Sequence, residues 1–242
     1  MIARLIAAEV AGLRRTFVPW LAMLLVVGGS VVARVLAWVT HAIGRTELGT
    51  LPFVQPDVGW GDVAVPLALL AYLIVTSYMF GRDFEDGTID LILTAPVRRG
   101  AVVAARVLVI AAGVIVLCLM GWAADTATRA VLATSPLDPG SATPVTAALG
   151  SAAAAIATLP LVAWAAIRFR GVLPALGLGI AIQIVPLALG GLVLVRSLPW
   201  FLPMALAAGD GAPLLGQGLA VLLFAGGLAA TVRAFRSVDL YE

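Results

Sequence analysis

The chain has 242 residues, 62% of them hydrophobic and 12% charged, with a mean hydropathy of +1.09. Soluble domains carry about 45–50% apolar and about 25% charged residues, so this chain has too little polar surface for a soluble globule. It reads as an integral membrane protein, which excludes a soluble enzyme, a disordered chain or a disulfide-stapled secreted domain.

The net charge of +2 is too small to suggest nucleic acid, and the one cysteine, Cys118, has no internal partner. All 15 basic residues are arginine, so the lysine that a phosphate-binding P-loop requires is missing. Residues 1–15 place Ile2, Leu5, Ile6, Val10 and Leu13 at helical spacing, with Arg4, Arg14 and Arg15 available to headgroups. This pattern predicts a short amphipathic helix over residues 1–16 lying in the interface, the alternative being a frayed extension of the first span. The first apolar run begins at Phe17 and is long enough to cross, unlike a cleavable signal.

A membrane helix needs about 20 mostly apolar residues, and six segments meet that need. They are residues 17–39, 62–80, 101–123, 144–167, 172–195 and 214–232, which makes residues 1–242 a single all-α transmembrane domain. Residues 40–61 and 124–143 read as loops on one side, with His41 a solvated loop residue just past the first span. The fifth run is interrupted by Pro174, Pro186 and Gly190–Gly191. After it, Pro199, Pro203 and Pro213 bracket an apolar stretch too short to cross, so residues 196–213 are expected to form a broken re-entrant or interfacial piece.

Orientation follows from the arginines. With the N-terminus in the cytoplasm, Arg4, Arg14, Arg15, Arg82, Arg98, Arg99, Arg106, Arg168, Arg170, Arg233 and Arg236 lie inside, and Arg34, Arg45, Arg129 and Arg196 lie outside. That asymmetry fits the positive-inside rule and puts both termini in the cytoplasm.

Residues 81–100, GRDFEDGTIDLILTAPVRRG, join the second and third spans on the cytoplasmic side. They open on an acidic cluster of Asp83, Glu85 and Asp86. Thr88 is a candidate helix N-cap whose hydroxyl would accept a free backbone N–H. Ile89, Leu91, Ile92 and Leu93 form an apolar run too short to span, and Pro96 stops it. A short acidic and apolar helix in water calls for a protein partner, and the acid cluster disfavours rest on the negative inner leaflet.

The stretch Phe84-Glu85-Asp86-Gly87-Thr88-Ile89-Asp90-Leu91-Ile92-Leu93-Thr94-Ala95-Pro96-Val97-Arg98-Arg99 resembles the cytoplasmic signature of type-2 permeases of ATP-binding-cassette (ABC) exporters, E-x-G-T-[LI]-[ED]-x-[LI]-L-x-x-P-[VI]-[ST]-R. Glu85, Gly87, Thr88, Ile89, Asp90, Leu93, Pro96, Val97 and Arg99 fit it, and Arg98 departs where Ser or Thr is usual. The six-span layout, the N-terminal "elbow" helix and the broken segment after span five extend the likeness along the chain.

The resemblance implies that this segment is a coupling helix seated in a groove of a separate ATPase subunit. Glu85, Gly87 and Thr88 would shape its start, Ile89, Leu91, Ile92 and Leu93 would supply apolar contact, and Asp83, Asp86 and Asp90 would pair with basic groups. Phe84 and Pro96 bracket the same segment. The resemblance also implies export, a second permease copy or a paralogue and a bacterial inner-membrane location, and the few charges in the spans point to an amphiphilic or apolar cargo. It further implies no cofactor or metal on this chain, with ATP and magnesium held by the partner.

Polar residues at membrane depth are functional candidates. Arg34 can snorkel outward or take a pairing or pathway role, and Arg106 can snorkel or pair with Asp83 or Asp86. Gln183 is open to helix–helix hydrogen bonding or pathway lining, and Tyr72 and Thr76 are pathway candidates because the resemblance implies that spans two and five face the route. The rival classes are a secondary transporter and a non-transporting scaffold; no inverted repeat and no mid-span acid favours the former.

Overall fold

A backbone in hydrocarbon must satisfy its own hydrogen bonds, and helices do so within one segment. The computed structural model describes residues 2–43, 60–132, 145–189 and 214–238, and every regular element among them is a helix. The first, α1 (Ile2–Arg14), buries no residue fully but rests Ile6 and Leu13 on the core. It closes where the Thr16 hydroxyl donates to the Leu13 carbonyl at 2.8 Å, so it is a helix apart from the first span.

The first span follows as α2 (Val18–Met23), a π-helical turn (Leu24–Gly28) and α3 (Gly29–Ile43), in unbroken succession. The Ser30 hydroxyl bonds back to the Val26 carbonyl at 2.7 Å beside that turn. Since α3 runs to Ile43, His41 belongs to a helix and not to a loop.

The bundle is organised around α4 (Trp60–Glu85), which packs against α2, α3, α6, α7 and α8. A helix surrounded in this way is apolar on every side, and Leu73, Met79 and Phe80 are all buried. α4 continues five residues past the expected end of the second span, so Gly81–Glu85 are helical stem and not loop. The short α5 (Ile89–Thr94) follows, and then α6 (Arg99–Leu132).

At 34 residues α6 is about 51 Å long, well beyond the roughly 30 Å of a hydrocarbon core. Residues 124–132, expected in a loop, belong to this helix. No proline or glycine stands between Gly121 and Pro136 to stop the helix, and the hydroxyls of Thr126 and Thr128 fold back onto the Trp122 and Ala124 carbonyls, each at 2.8 Å.

α7 (Val145–Arg168) brings Ala148, Ala152, Ala155, Ala163 and Ala166 into the core, which lets its neighbours come close. α8 (Val172–Leu189) lies on α4, and a Cβ at Gly179 would stand 2.6 Å from Leu73. α9 (Leu214–Arg236) packs on α7, where the Thr231 hydroxyl donates to the Pro160 carbonyl at 2.8 Å. The Arg99 guanidinium donates to the carbonyls of Arg236 and Val238 at 2.9 and 3.1 Å, tying the end of the described chain to the start of α6.

Among the described residues five stretches are long and apolar enough to cross a membrane: Val18–Val35, Val65–Glu85, Arg99–Leu132, Ala148–Arg168 and Gly216–Arg236. The apolar part of α8, Val172–Ile182, is shorter. The broken segment expected at 196–213 lies outside the described residues.

Candidate coupling segment and the ionic clusters at the two ends of the bundle

The segment takes its shape from three residues. Gly87 has a φ of +65°, a left-handed conformation that glycine adopts without a Cβ clash, and it turns the chain at the end of α4. Pro96 ends the next turn: Ala95 before it is extended at φ −63°, ψ 142°, as contact with the proline ring demands. Between them Thr88 stands at the head of α5 but makes no side-chain hydrogen bond there. Its backbone is already helical, at φ −88° and ψ −2°, whereas a capping hydroxyl is normally aimed by an extended residue. The expected hydroxyl cap is therefore absent.

The helical period then sorts the apolar quartet. Ile89, Ile92 and Leu93 fall on one face; Leu93 is buried and the other two pack partly against the core. Leu91 points the opposite way and is 73% exposed. Asp86, Gly87, Asp90, Thr94 and Pro96 are exposed with it, while Phe84 is half-buried against the core. The outward surface is thus one leucine with carboxylates around it, and the other three apolar residues fasten α5 to the bundle.

Two of the acidic residues face partners within the chain. Glu85 is exposed at the end of α4, yet its Oε1 accepts the Val172 backbone N–H at 2.7 Å. Val172 opens α8, so a carboxylate from one span caps the positive end of another. The approach is close: a Cβ at Gly81 would meet the Val172 backbone nitrogen at 2.6 Å.

Asp83 is buried, with 5% of its surface exposed, which turns its carboxylate inward and away from any rim facing an ATPase. It meets Arg106 Nη2 at 2.5 Å and Arg82 Nε at 3.6 Å. Arg106 Nε in turn donates to Glu9 Oε1 at 2.9 Å, and Arg82 reaches Glu9 Oε2 at 3.7 Å. The guanidinium of Arg82 also lies over the Tyr78 ring and that of Arg106 over the Phe80 ring. Two carboxylates and two guanidiniums balance, as charges out of water must. Together they join α1, the stem of α5 and the start of α6.

Arg106 pairs with Asp83, one of the two acids expected for it. The part of Glu9 was not foreseen, although its position carried a signal. With Ile2, Ile6 and Leu13 it forms a four-three-four spacing, which places an acid on the apolar face of an amphipathic helix.

A second ion pair lies toward the other end. Arg34 does not snorkel to water: it is buried, and its Nε and Nη2 donate to the two oxygens of Asp125 at 2.9 and 2.8 Å. Asp125 was expected in a loop, so the partnership emerges only because α6 runs on. Arg106 and Asp125 stand 19 positions apart on α6, or about 28 Å, close to the thickness of a hydrocarbon core. A bilayer centred on that stretch of α6 would have its two boundaries near the two clusters.

The pathway candidates meet different surroundings. Tyr72 and Thr76 are buried. The Tyr72 hydroxyl bonds that of Thr158 across the α4–α7 contact, and Thr76 donates to the Tyr72 carbonyl at 2.7 Å. The side chain of Gln183 lies outside the described residues. Among the described residues no group of three or more His, Cys, Asp or Glu side chains could hold a metal ion.

A helical bundle whose second and third spans are joined by a short anchored helix is matched by a family model, that of the ABC-2 family transporter proteins, over residues 5–186. The chain belongs to the ABC-2 transporter family. The matched region of this ABC-2 protein holds most of α1, both ionic clusters, α5 and most of α8, and α9 follows it. No curated protein matches the chain.

Proposed function

We propose that this ABC-2 protein is the permease subunit of an ATP-driven exporter whose motor is a separate ATPase. In this reading both termini and α5 face the cytoplasm of a bacterium, α1 is an interfacial elbow, and the spans number six with α8 as the fifth. Two permeases, identical or paralogous, work with two ATPases, which hold the ATP and magnesium. The cargo is amphiphilic or apolar, because the spans offer few charges.

The observation that carries the reading is the exposure of Leu91 next to the exposed Asp90, on a helix whose opposite face is fixed to the core and which follows the exposed Asp86. An isolated apolar side chain with a charged rim fits an apolar socket edged with basic groups. A push on α5 would pass into α4 and α6 through Asp83 and Arg106, and into α8 through Glu85. A secondary transporter or a scaffold has no use for such a surface.

The test is co-expression with an ABC ATPase from the same genome, followed by co-purification and transport in vesicles. Leu91→Asp should weaken binding of the ATPase by about 30-fold, the effect of losing a contact worth 2 kcal/mol, and should abolish ATP-driven transport while the permease still folds. Full transport by Leu91→Asp, or by the permease without any ATPase, would overturn the reading.

A further inference from the structure

Between α1, α2, α4 and α6 lies an apolar groove of about 230 Å³, bounded by Leu13, Met23, Val75, Gly113, Leu117 and Met120. It is larger than the roughly 150 Å³ cavities, lined by similar side chains, that stay dry and take up benzene. We propose that it holds one acyl chain of a phospholipid drawn from the leaflet on the α5 side, with the lipid phosphate beside Arg14 and Arg15. The inference rests on the sidedness proposed above for the headgroup's charge, but its test reads lipid contact and not transport, so the two fail separately.

Four observations converge on that occupant. The first is length. The wall on α6 runs from Val109 to Met120, eleven positions or about 16 Å, and one leaflet's acyl layer is half of about 30 Å. The second is depth: Val109 lies one turn beyond Arg106 of the ionic cluster, and Met120 lies toward Asp125 at the far end. The groove therefore starts at one boundary and ends inside the hydrocarbon.

The third is access. Val116 and Met23, both lining residues, are 53% and 37% exposed on the outside of the bundle, so a chain can enter sideways from lipid. The fourth is the foot. Leu13 closes the groove just before Arg14 and Arg15, both exposed, and the exposed rings of Phe17 and Trp20 follow, as suits a headgroup-level belt. Met23 on α2 and Met120 on α6, both lining the groove, adapt to a flexible chain.

Gly113 supplies the handle. A Cβ there meets nothing within 4 Å, so a larger side chain fills the groove without moving the backbone. The full chain would be placed in nanodiscs doped with a phosphatidylglycerol carrying a diazirine midway along one acyl chain. It would then be irradiated, and the adducts mapped by peptide mass spectrometry.

Adducts on residues 109–120 and on Met23 should exceed those on the outward Val221 and Leu222 of α9 by about tenfold, and Gly113→Leu should remove that excess. Gly218→Leu, equally unobstructed but on α9, should leave it intact. Arg14→Gln and Arg15→Gln should each lower the preference for phosphatidylglycerol over phosphatidylcholine by about fivefold.

Uniform labelling of the outer helices, or an excess that survives Gly113→Leu, would reduce the groove to ordinary annular contact and overturn the proposal. A disulfide between two copies at Val116→Cys, in place of lipid adducts, would assign the face to a second permease and overturn it equally.

Discussion

The two ionic clusters solve the same problem in different ways. Arg34 and Asp125 make a two-pronged bond between α3 and α6, with both side chains almost wholly withdrawn from water. The other cluster spreads four charges over α1, α4 and α6, and its Arg82 keeps a fifth of its side chain exposed. A matched pair in fixed geometry acts as a pin. A shared set, with contacts from 2.5 to 3.7 Å, can redistribute its bonds when one helix shifts. The rigid pin stands far from α5 and the adaptable junction stands at its root, where motion would enter the bundle.

The largest effect should come from breaking the pin. Arg34→Ala leaves the Asp125 carboxylate alone in a dry site and should cost about 3–5 kcal/mol of stability, seen as a large drop in the thermal midpoint of the purified protein. Exchanging the two residues, Arg34→Asp with Asp125→Arg, should recover much of that loss, as a double-mutant cycle would show. A single mutant as stable as the parent would remove the distinction between pin and junction.

The junction should respond more softly. Arg106→Lys keeps the charge but replaces a planar fork that serves Asp83 and Glu9 at once with a single ammonium. A loss of about 1–2 kcal/mol is expected, because Arg82 can take over part of the pairing. ATP-driven transport should fall further than stability does. Equal sensitivity of the two readouts would make the cluster a second pin.

The smallest change is Glu85→Gln, which retains an acceptor for the Val172 N–H and removes only the negative charge from the start of α8. It should lower stability by about 0.3–1 kcal/mol. Comparing its transport with that of Arg106→Lys would show which of the two routes from α5 carries more of the motion.

Much of this architecture is written in the apolar runs, since hydrocarbon thickness sets their length and the arginines set their ends. Gly87 and Pro96 marked the limits of the segment around α5 for the same reason: their backbone chemistry is local. What the sequence concealed depends on direction and reach. Nothing in the run Ile89–Leu93 says which side of a six-residue helix meets the core, so Leu91 emerged as the outward residue only once packing was known. Asp83 belonged to the acidic cluster by sequence but to the interior by structure, because the stem continued as helix through Glu85. Asp125 was hidden by the assumption that a span ends when the bilayer does.

That last point has a consequence for how the bundle moves. α6 contains no proline, and its length leaves about 10 Å beyond each ionic cluster, so one stiff beam runs past both sets of charges. Asp125 is pinned to α3 and the Arg99 end is tied to the Arg236 and Val238 carbonyls, so a displacement of either end would be carried along the whole beam instead of being absorbed at a kink.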